Sequence, residues 1–430
     1  VAPFVHTKPW WSVVLLVCVA VRGMLYSQPQ RVIDLDNADS LVGRIIDGEE
    51  VRELIGRVRF HQENVHVSCD RAVQYIRSGD VVLMGNVLVV EDSVSIRSPR
   101  GIYHRDNRRT EAFDSVSLDD GKVQLVAKYG EYLIGPRRAF FRSHVVVRDS
   151  ASTFTADSLT YFRTEKRSIA TGNVTVHSRT DNITMTGHRL EHLSTSQFSR
   201  MTERPVMVQF ETSPTGIVDT LVVRSKVMEA YRDTVKRLVA IDSVQIIRSD
   251  LAGLAGFVDF YVQGDSILLR RSPVVWYQNT QVSGDSINVY LKMRKLSTVS
   301  VMGDAFAISQ SDSLYPDRLD QLAGELMSMH FEEKGLDRIN VYNRALSVYH
   351  LYEDSSANGL NASSGDGILI SFYGGKVRSI NITGGVEGRY VPENLVHGRE
   401  HEYALRGFLW RTDRPTMRHE DLPNIPVESY

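Results

Sequence analysis

The sequence predicts an all-β chain folded as a stacked β-solenoid of two-strand repeats, each roughly 29 residues long. Three observations lead there. First, columns of like residues recur at a fixed step: Val87, Val116, Val145 and Val174 are each 29 residues apart, as are Tyr103, Tyr132 and Tyr161, and Arg109, Arg138 and Arg167. Self-similarity at such a period marks a stacked array. Second, apolar and polar residues alternate within a repeat, the period of a strand with one buried face. Third, β-branched and aromatic residues dominate and helix-period patterns are nearly absent.

One unit, Phe154 to Val176, shows the plan. Thr155 to Tyr161 interleaves polar and apolar residues, Arg163 to Arg167 is a charged turn, and Ser168 to Val176 alternates again. Two residues before each valine of the column stands a turn-like residue: Gly85, Asp114, Ser143 and Gly172. Each repeat is therefore expected to hold two strands and two turns. One repeat cannot close a core alone, so the units must stack.

The chain has 430 residues, and a single solenoid could use nearly all of them. A net charge of −2 gives no basic excess to suggest nucleic acid. Residues 1–27 are expected to be an export signal. Trp10 to Ala20 is an apolar run behind His6 and Lys8, too short to span a bilayer comfortably. Cleavage is expected near Gly23 or Ser27, with a retained anchor as the alternative. Cys18 lies in that segment, which leaves Cys69 as the one cysteine beyond it and no internal disulfide; Cys69 is expected to be a small buried residue.

Residues 28–56 read as a polar lead-in of mixed pattern. Alternation starts at Arg57-Val58-Arg59-Phe60 and continues through 57–210. In 211–392 the copies persist with looser spacing; the small residue that opens the block, Ala127, Ala156 and Gly187 in the earlier copies, is there Ser225, Gly256, Gly284 and Gly324. Insertions are expected in the turns. Residues 393–430, with Pro415, Pro423 and Pro426 among charges, read as a loosely attached or partly disordered tail.

The strings Met84-Gly85-Asn86-Val87-Leu88-Val89 and Ala170-Thr171-Gly172-Asn173-Val174, with Gly101-Ile102-Tyr103, resemble the OstA/LptA-like family. The similarity is clearest over Arg57 to Val206. The resemblance implies a periplasmic β-jellyroll that carries lipopolysaccharide between membranes with acyl chains inside the fold. The lining it implies falls on inward-pointing apolar residues: Val87, Val89, Val116, Leu118, Val145, Val147, Val174, Val176, Ile183 and Met185. It also implies partners: lipopolysaccharide or a similar amphiphile, membrane transport components joined by edge-strand pairing, and head-to-tail self-association. The location it implies is the periplasm, with association to the outer membrane as the further option.

Other readings stand beside this one. The apolar columns also suit a closed dry core, as in a structural or adhesive solenoid of the envelope. A polysaccharide-active solenoid enzyme would need a row of exposed carboxylates on one sheet face, whereas Asp and Glu here fall mainly in turns. The Arg109, Arg138, Arg167 column is read as a solvated turn face, with a phosphate-binding row as the alternative. The tyrosines are read as stacked packing. Gly264-Asp265-Ser266-Ile267 and Gly284-Asp285-Ser286-Ile287 look like lipase nucleophile blocks but fall where turns belong, with no accompanying histidine. His188 and His192 have helical metal-pair spacing on a stretch that reads as strand. No catalytic residue, metal site or cofactor is expected.

Overall fold

The computed structural model describes residues 34–418 apart from residues 63–64, 92, 105–106, 151, 180–181, 213–217, 233–235, 250, 262–263, 293–294, 311–314, 333–334, 354–355 and 375. The expected export signal lies outside the described residues. Two compact units divide the chain, residues 1–205 and 206–430. Both are built from antiparallel strands, so the all-β expectation holds.

Unit 1 is a meander: β1 (Asp34–Asn37), β2 (Ser40–Ile46), β3 (Glu49–Gln62), β4 (Val65–Tyr75), β5 (Val81–Glu91), β6 (Val94–His104), β7 (Arg109–Asp119), β8 (Gln124–Leu133), β9 (Arg138–Arg148), β10 (Ser152–Phe162), β11 (Arg167–Ser178), β12 (Ile183–Leu193) and β13 (Phe198–Thr202). From β3 to β13 each strand pairs with the next. Within the lead-in, β1 and β2 both pair with β3.

The turn-like residues are not turns between strands. Gly56/Arg57, Gly85/Asn86, Asp114/Ser115, Ser143/His144 and Gly172/Asn173 are consecutive positive-φ pairs in the middle of β3, β5, β7, β9 and β11. At each pair the register slips, two residues on the odd-numbered strand opposing one on its neighbour. That is a β-bulge, which bends the strand sharply. A bulge and a turn ask for the same left-handed backbone, so Gly, Asn, Asp and Ser signal both.

The bends form a corner that folds the sheet into two arms: arm A before the bulge on odd-numbered strands, arm B after it. Three corners share one latch. A Cβ at Gly56, Gly85 or Gly172 would fall inside the carboxylate of Asp39, Asp70 or Asp157. The residue after each glycine binds that carboxylate: Arg57 to Asp39 at 2.7 Å, Asn86 to Asp70 at 2.8 Å, and Asn173 to Asp157 at 3.0 Å. The recurring Gly-Asn-Val thus has a physical basis. Glycine yields to the carboxylate, asparagine tolerates the left-handed backbone and donates to it, and valine is the first residue to point back inward.

Unit 2 comprises β14 (Val206–Thr212), β15 (Val218–Arg224), β16 (Val227–Tyr231), β17 (Arg237–Ile247), β18 (Leu251–Tyr261), β19 (Ser266–Arg270), β20 (Val274–Tyr277), β21 (Thr280–Ser283), β22 (Ser286–Lys292), β23 (Lys295–Gln310), β24 (Leu319–Glu332), β25 (Gly335–Glu353), β26 (Ser356–Tyr373), β27 (Lys376–Thr383) and β28 (Glu387–Val391). Its corners are Asp242/Ser243, Arg271/Ser272, Gly303/Asp304, Asn343/Arg344 and Gly384/Gly385. The Asp–Gly latch returns at Asp285/Gly303 and Asp366/Gly384. The looser spacing does not come from turn insertions alone, because β23 to β26 run to 16, 14, 19 and 18 residues. The core gathers residues from both arms, including Val244, Leu269, Ile287, Val301, Met327, Val341 and Ile368.

The chain beyond β28 differs from the loose tail expected. Residues 393–418 form a strap across the outer face of arm B, while 419–430 lie outside the described residues. It starts with α1 (Glu393–Val396), whose Val396 is buried with Val348, Leu360 and Val391. Arg318, 2% exposed, binds Glu393 through two nitrogens and lies 3.6 Å from Glu400. The strap then crosses the strands in order. Gln321 on β24 accepts from the Leu405 amide at 2.8 Å. Gln281 on β21 donates to the Leu409 carbonyl at 2.7 Å and accepts from the Arg411 amide at 2.8 Å. Arg414 reaches the Gln278 carbonyl, and Arg224 on β15 reaches that of Thr416. Leu405, Phe408 and Trp410 pack on Phe306, Ile308 and Ala323. The strap is therefore held by side-chain amides that imitate a neighbouring strand.

Candidate functional site

The candidate site is the interior of unit 1. Val87, Val116, Val145 and Val174 each follow a corner and face inward from arm B, with exposures of 4%, 1%, 0% and 1%. Their cross-strand partners are Ser98, Ala127, Ala156 and Gly187, small residues that fit the inside of the bend. One row further out, pairing runs Val89, Ile96, Leu118, Leu125, Val147, Phe154, Val176, Met185. Ile183 lies in the row beyond, opposite Ser178. All ten candidate lining residues thus share one inner face of arm B. Val89 and Ile183 are half-buried and the other eight are buried.

The facing wall escaped the sequence reading. On arm A, Leu54, Leu83, Ala112, Phe141 and Ala170 point inward, and they too recur every 29 residues. That step was the signal that could have found them. Near the corner the two walls come close: a Cβ at Gly130 on arm A would lie 3.4 Å from Val116 Cγ1 on arm B, and one at Gly101 3.9 Å from Val87 Cγ1.

The Arg109, Arg138, Arg167 column stands on the outer face at the start of β7, β9 and β11, not in a turn. Arg109 lies 3.1 Å from Glu111 and 3.8 Å from Glu131. Arg167 binds Glu165 at 2.7 Å and Glu191 at 3.2 Å, with its guanidinium 4.6 Å from the centre of the Phe162 ring. Arg138 pairs in register with Leu133 and Phe162. Arg109 and Arg167, matched in this way, belong to a ladder of charge rather than to an open anion row. His104 bridges Asp80 and Glu111 at 3.1 and 2.7 Å, and the Tyr129 hydroxyl donates to Glu111 at 2.5 Å. Burial would push the Glu111 carboxyl up, but the bonds from Tyr129 and His104 and the charge of Arg109 outweigh it and hold it below the ordinary carboxylate value. Burial and the same hydrogen bond push the Tyr129 phenol up.

Tyr103, Tyr132 and Tyr161 are on the inner face of arm A, in register with Thr110, Ala139 and Ser168. Ser266 and Ser286 begin β19 and β22, as turn-edge residues would. His188 is exposed on β12, while buried His192 bonds Ser199 at 2.9 Å, and no group of metal-ligating side chains occurs among the described residues. Cys69 is buried, and burial raises its thiol to about 11.

The class defined by this geometry is a β-solenoid with a cornered sheet and an apolar interior. The OstA-like protein family matches at residues 30–132 and 77–171, two overlapping stretches that take in the corners from Gly56 to Ser143, and over them the chain is OstA-like. Among solved structures the chain is similar to LptH, the LptA-homologous periplasmic component of the lipopolysaccharide transport device of Pseudomonas aeruginosa. The two share 13% identity with a TM-score of 0.26, over 33% of this chain and 95% of that one. No curated protein matches the chain.

Proposed function

We propose that the protein is a non-enzymatic periplasmic lipid-transfer protein that carries lipopolysaccharide or a similar amphiphile toward the outer membrane, with acyl chains between the arms of unit 1. The observation that carries this is the apolar inner face of arm B, unbroken from Val89 through Leu118, Val147 and Val176 to Met185. An acyl chain inserted there gains roughly 0.8 kcal/mol per buried methylene. A wall repeating every two strands has no deep trap, so cargo can slide along it. Partners join at free edges: β2 exposes Leu41 and Ile45, and β27, with Lys376 and Arg378, is exposed along nearly its whole length. Strand addition at such edges supplies main-chain hydrogen bonds to transport components or to a second copy.

The burial of eight of the ten lining residues favours a second reading, a structural solenoid of the cell envelope. One experiment separates them. A photo-crosslinker at Val145 or Val174, with Arg138 on the outer face as control, is exposed to lipopolysaccharide. Labelling at the valines and not the arginine supports transfer. A folded protein with no labelling at either valine is a closed structural solenoid.

A further inference from the structure

One motif of the sequence serves neither the interior nor the strap. Of the 30 aspartates, 12 are followed directly by Ser or Thr, and 11 of those 12 then by Leu, Val, Ile or Ala. These triplets begin at Asp39, Asp92, Asp114, Asp149, Asp157, Asp219, Asp233, Asp242, Asp265, Asp285 and Asp312. Turn-making does not account for them. Asparagine makes the same side-chain turns and tolerates the left-handed backbone as aspartate does. Yet none of the 15 asparagines begins such a triplet, and none of the 22 glutamates does. The pattern asks for a short carboxylate, then a hydroxyl, then an aliphatic side chain.

The fold uses the first and third residues of the triplet and leaves the second. Asp39 binds Arg57, Asp157 accepts from Asn173, Asp219 pairs with Arg248, and Asp149 accepts from the Ser152 amide at 2.6 Å. Val116, Leu159, Val244 and Ile287 are buried. Ser40, Ser115 and Ser243, by contrast, are exposed, and their hydroxyls make no hydrogen bond among the described residues. Ser93 and Ser150 are exposed as well. The corners do not require the hydroxyl either. Their second position is Ser115 or Ser243 in two triplets, whereas Asn86, His144 and Asn173 hold it at sister corners.

We propose that these triplets are acceptor sites for a covalent O-linked sugar, and that Ser40, Ser115 and Ser243 carry it. A hydroxyl the fold does not bond, held on strand backbone beside a carboxylate, is offered to a transferase in the same frame each time. The aspartate selects among the groups such an enzyme could add. A phosphate would set a charge of about −1.5 to −2 beside that carboxylate, which like-charge repulsion opposes. An acyl group would expose hydrocarbon to water. A glycosyl unit is bulky, uncharged and solubilising, and suits an exposed surface position. In the transfer, Ser Oγ attacks the anomeric carbon of a sugar activated as a glycosyl phosphate. The Oγ–C bond forms, the C–O bond to phosphate breaks, and the phosphate leaves with the bonding electrons. The hydroxyl proton passes to a base on the transferase, a separate enzyme. Only the outer surface takes part, so the modification does not depend on lipid transfer.

The test compares the full chain purified from the cells that naturally make it with the same chain made by cell-free translation, without activated sugars. Intact mass, and peptide fragmentation that keeps side-chain groups attached, locate any addition. The natural protein is expected to be heavier by whole sugar residues, placed at Ser40, Ser115 and Ser243 and released by mild alkaline elimination. Asp114→Asn, made in the same cells, keeps the turn chemistry and removes the charge. It is expected to lose the sugar at Ser115 while Ser40 and Ser243 keep theirs, with thermal melting as the check on folding. If it does not fold, Asp242→Asn is read in the same way at Ser243. Equal masses for the two preparations overturn the proposal. So does phosphate in place of sugar, or sugar found as often on serines outside the triplets. Sugar retained at Ser115 in folded Asp114→Asn overturns the part given to aspartate.

Discussion

Unit 1 and unit 2 share one device and use it differently. In unit 1 the corners begin at Gly56, Gly85, Asp114, Ser143 and Gly172, every 29 residues. In unit 2 they begin at Asp242, Arg271, Gly303, Asn343 and Gly384, a spacing that widens toward the end as the strands lengthen. The inner valines and isoleucines persist in both. The outer face of arm B does not. In unit 1 a transverse row there reads Ser117, Val126, Val146, Thr155, Thr175, Thr186, mostly polar and left to solvent. In unit 2 the matching face reads Ala252, Trp276, Gln281, Ile308, Gln321, Val348, apolar but for two glutamines, and the strap covers it. A solenoid needs only its inner face to stack, so its outer face is free to take on other work.

The largest expected effect tests whether the strap belongs to unit 2 alone. Glu393→Ala leaves Arg318 buried with Glu400 as its remaining carboxylate, and removing one partner of a buried ion pair costs about 3 kcal/mol. Trp276 and Trp410 lie under and in the strap, so their fluorescence during urea unfolding should move to lower denaturant. A strap that stabilises nothing would leave that transition in place.

Next comes the corner latch. Gly172→Ala must hold alanine at φ +76° and displace the Asp157 carboxylate, whereas Gly121→Ala faces a similar backbone with open space around it. The first should cost about 2 kcal/mol and the second about 1 kcal/mol, the conformational part alone. Adding Asp157→Ala should recover part of the difference. Strict additivity in the double-mutant cycle would mean the latch is not a unit.

A smaller effect concerns the outer ladder, which unit 1 builds around Glu111. Its carboxyl is held below the ordinary value near ~4.3. It therefore contributes stability above that pH, lost as the pH falls through the lower folded value. Stability measured from pH 6 down to 2 should fall less steeply in Glu111→Gln, and parallel curves would contradict the assignment. Least of all, the Cys69 thiol, raised to about 11, should react with a thiol reagent at pH 8 only as fast as the protein opens. Prompt labelling would mean that arm A and arm B part readily, which also bears on how cargo enters.

The sequence by itself determined the strands, their period and one wall of the interior. Alternation and a fixed step are local properties, and every copy of Val87 or Val89 repeats the same local choice. The Tyr103 column was legible as a column, but not as part of the inner face of arm A. Tertiary structure decided the rest. Gly85 and Gly172 have the chemistry of a turn, and only pairing with Asp70 and Asp157 on the neighbouring strands makes them corners. The second wall, Leu83 and Phe141 among its residues, depends on the fold of the sheet across those corners, so no single strand reveals that it faces Val116. Arg109 and Arg167 formed a cation row in sequence; one carboxylate of each, Glu111 or Glu165, stands two residues away in the same segment, and the other, Glu131 or Glu191, arrives from the adjacent strand. The proline-bearing segment after Pro392 has no periodicity of its own; what holds it is Gln281, Gln321 and Arg318, contributed from far away in the chain. Local pattern specifies a strand because its period is written residue by residue, whereas a corner, a facing wall or a strap exists only once distant residues share a surface.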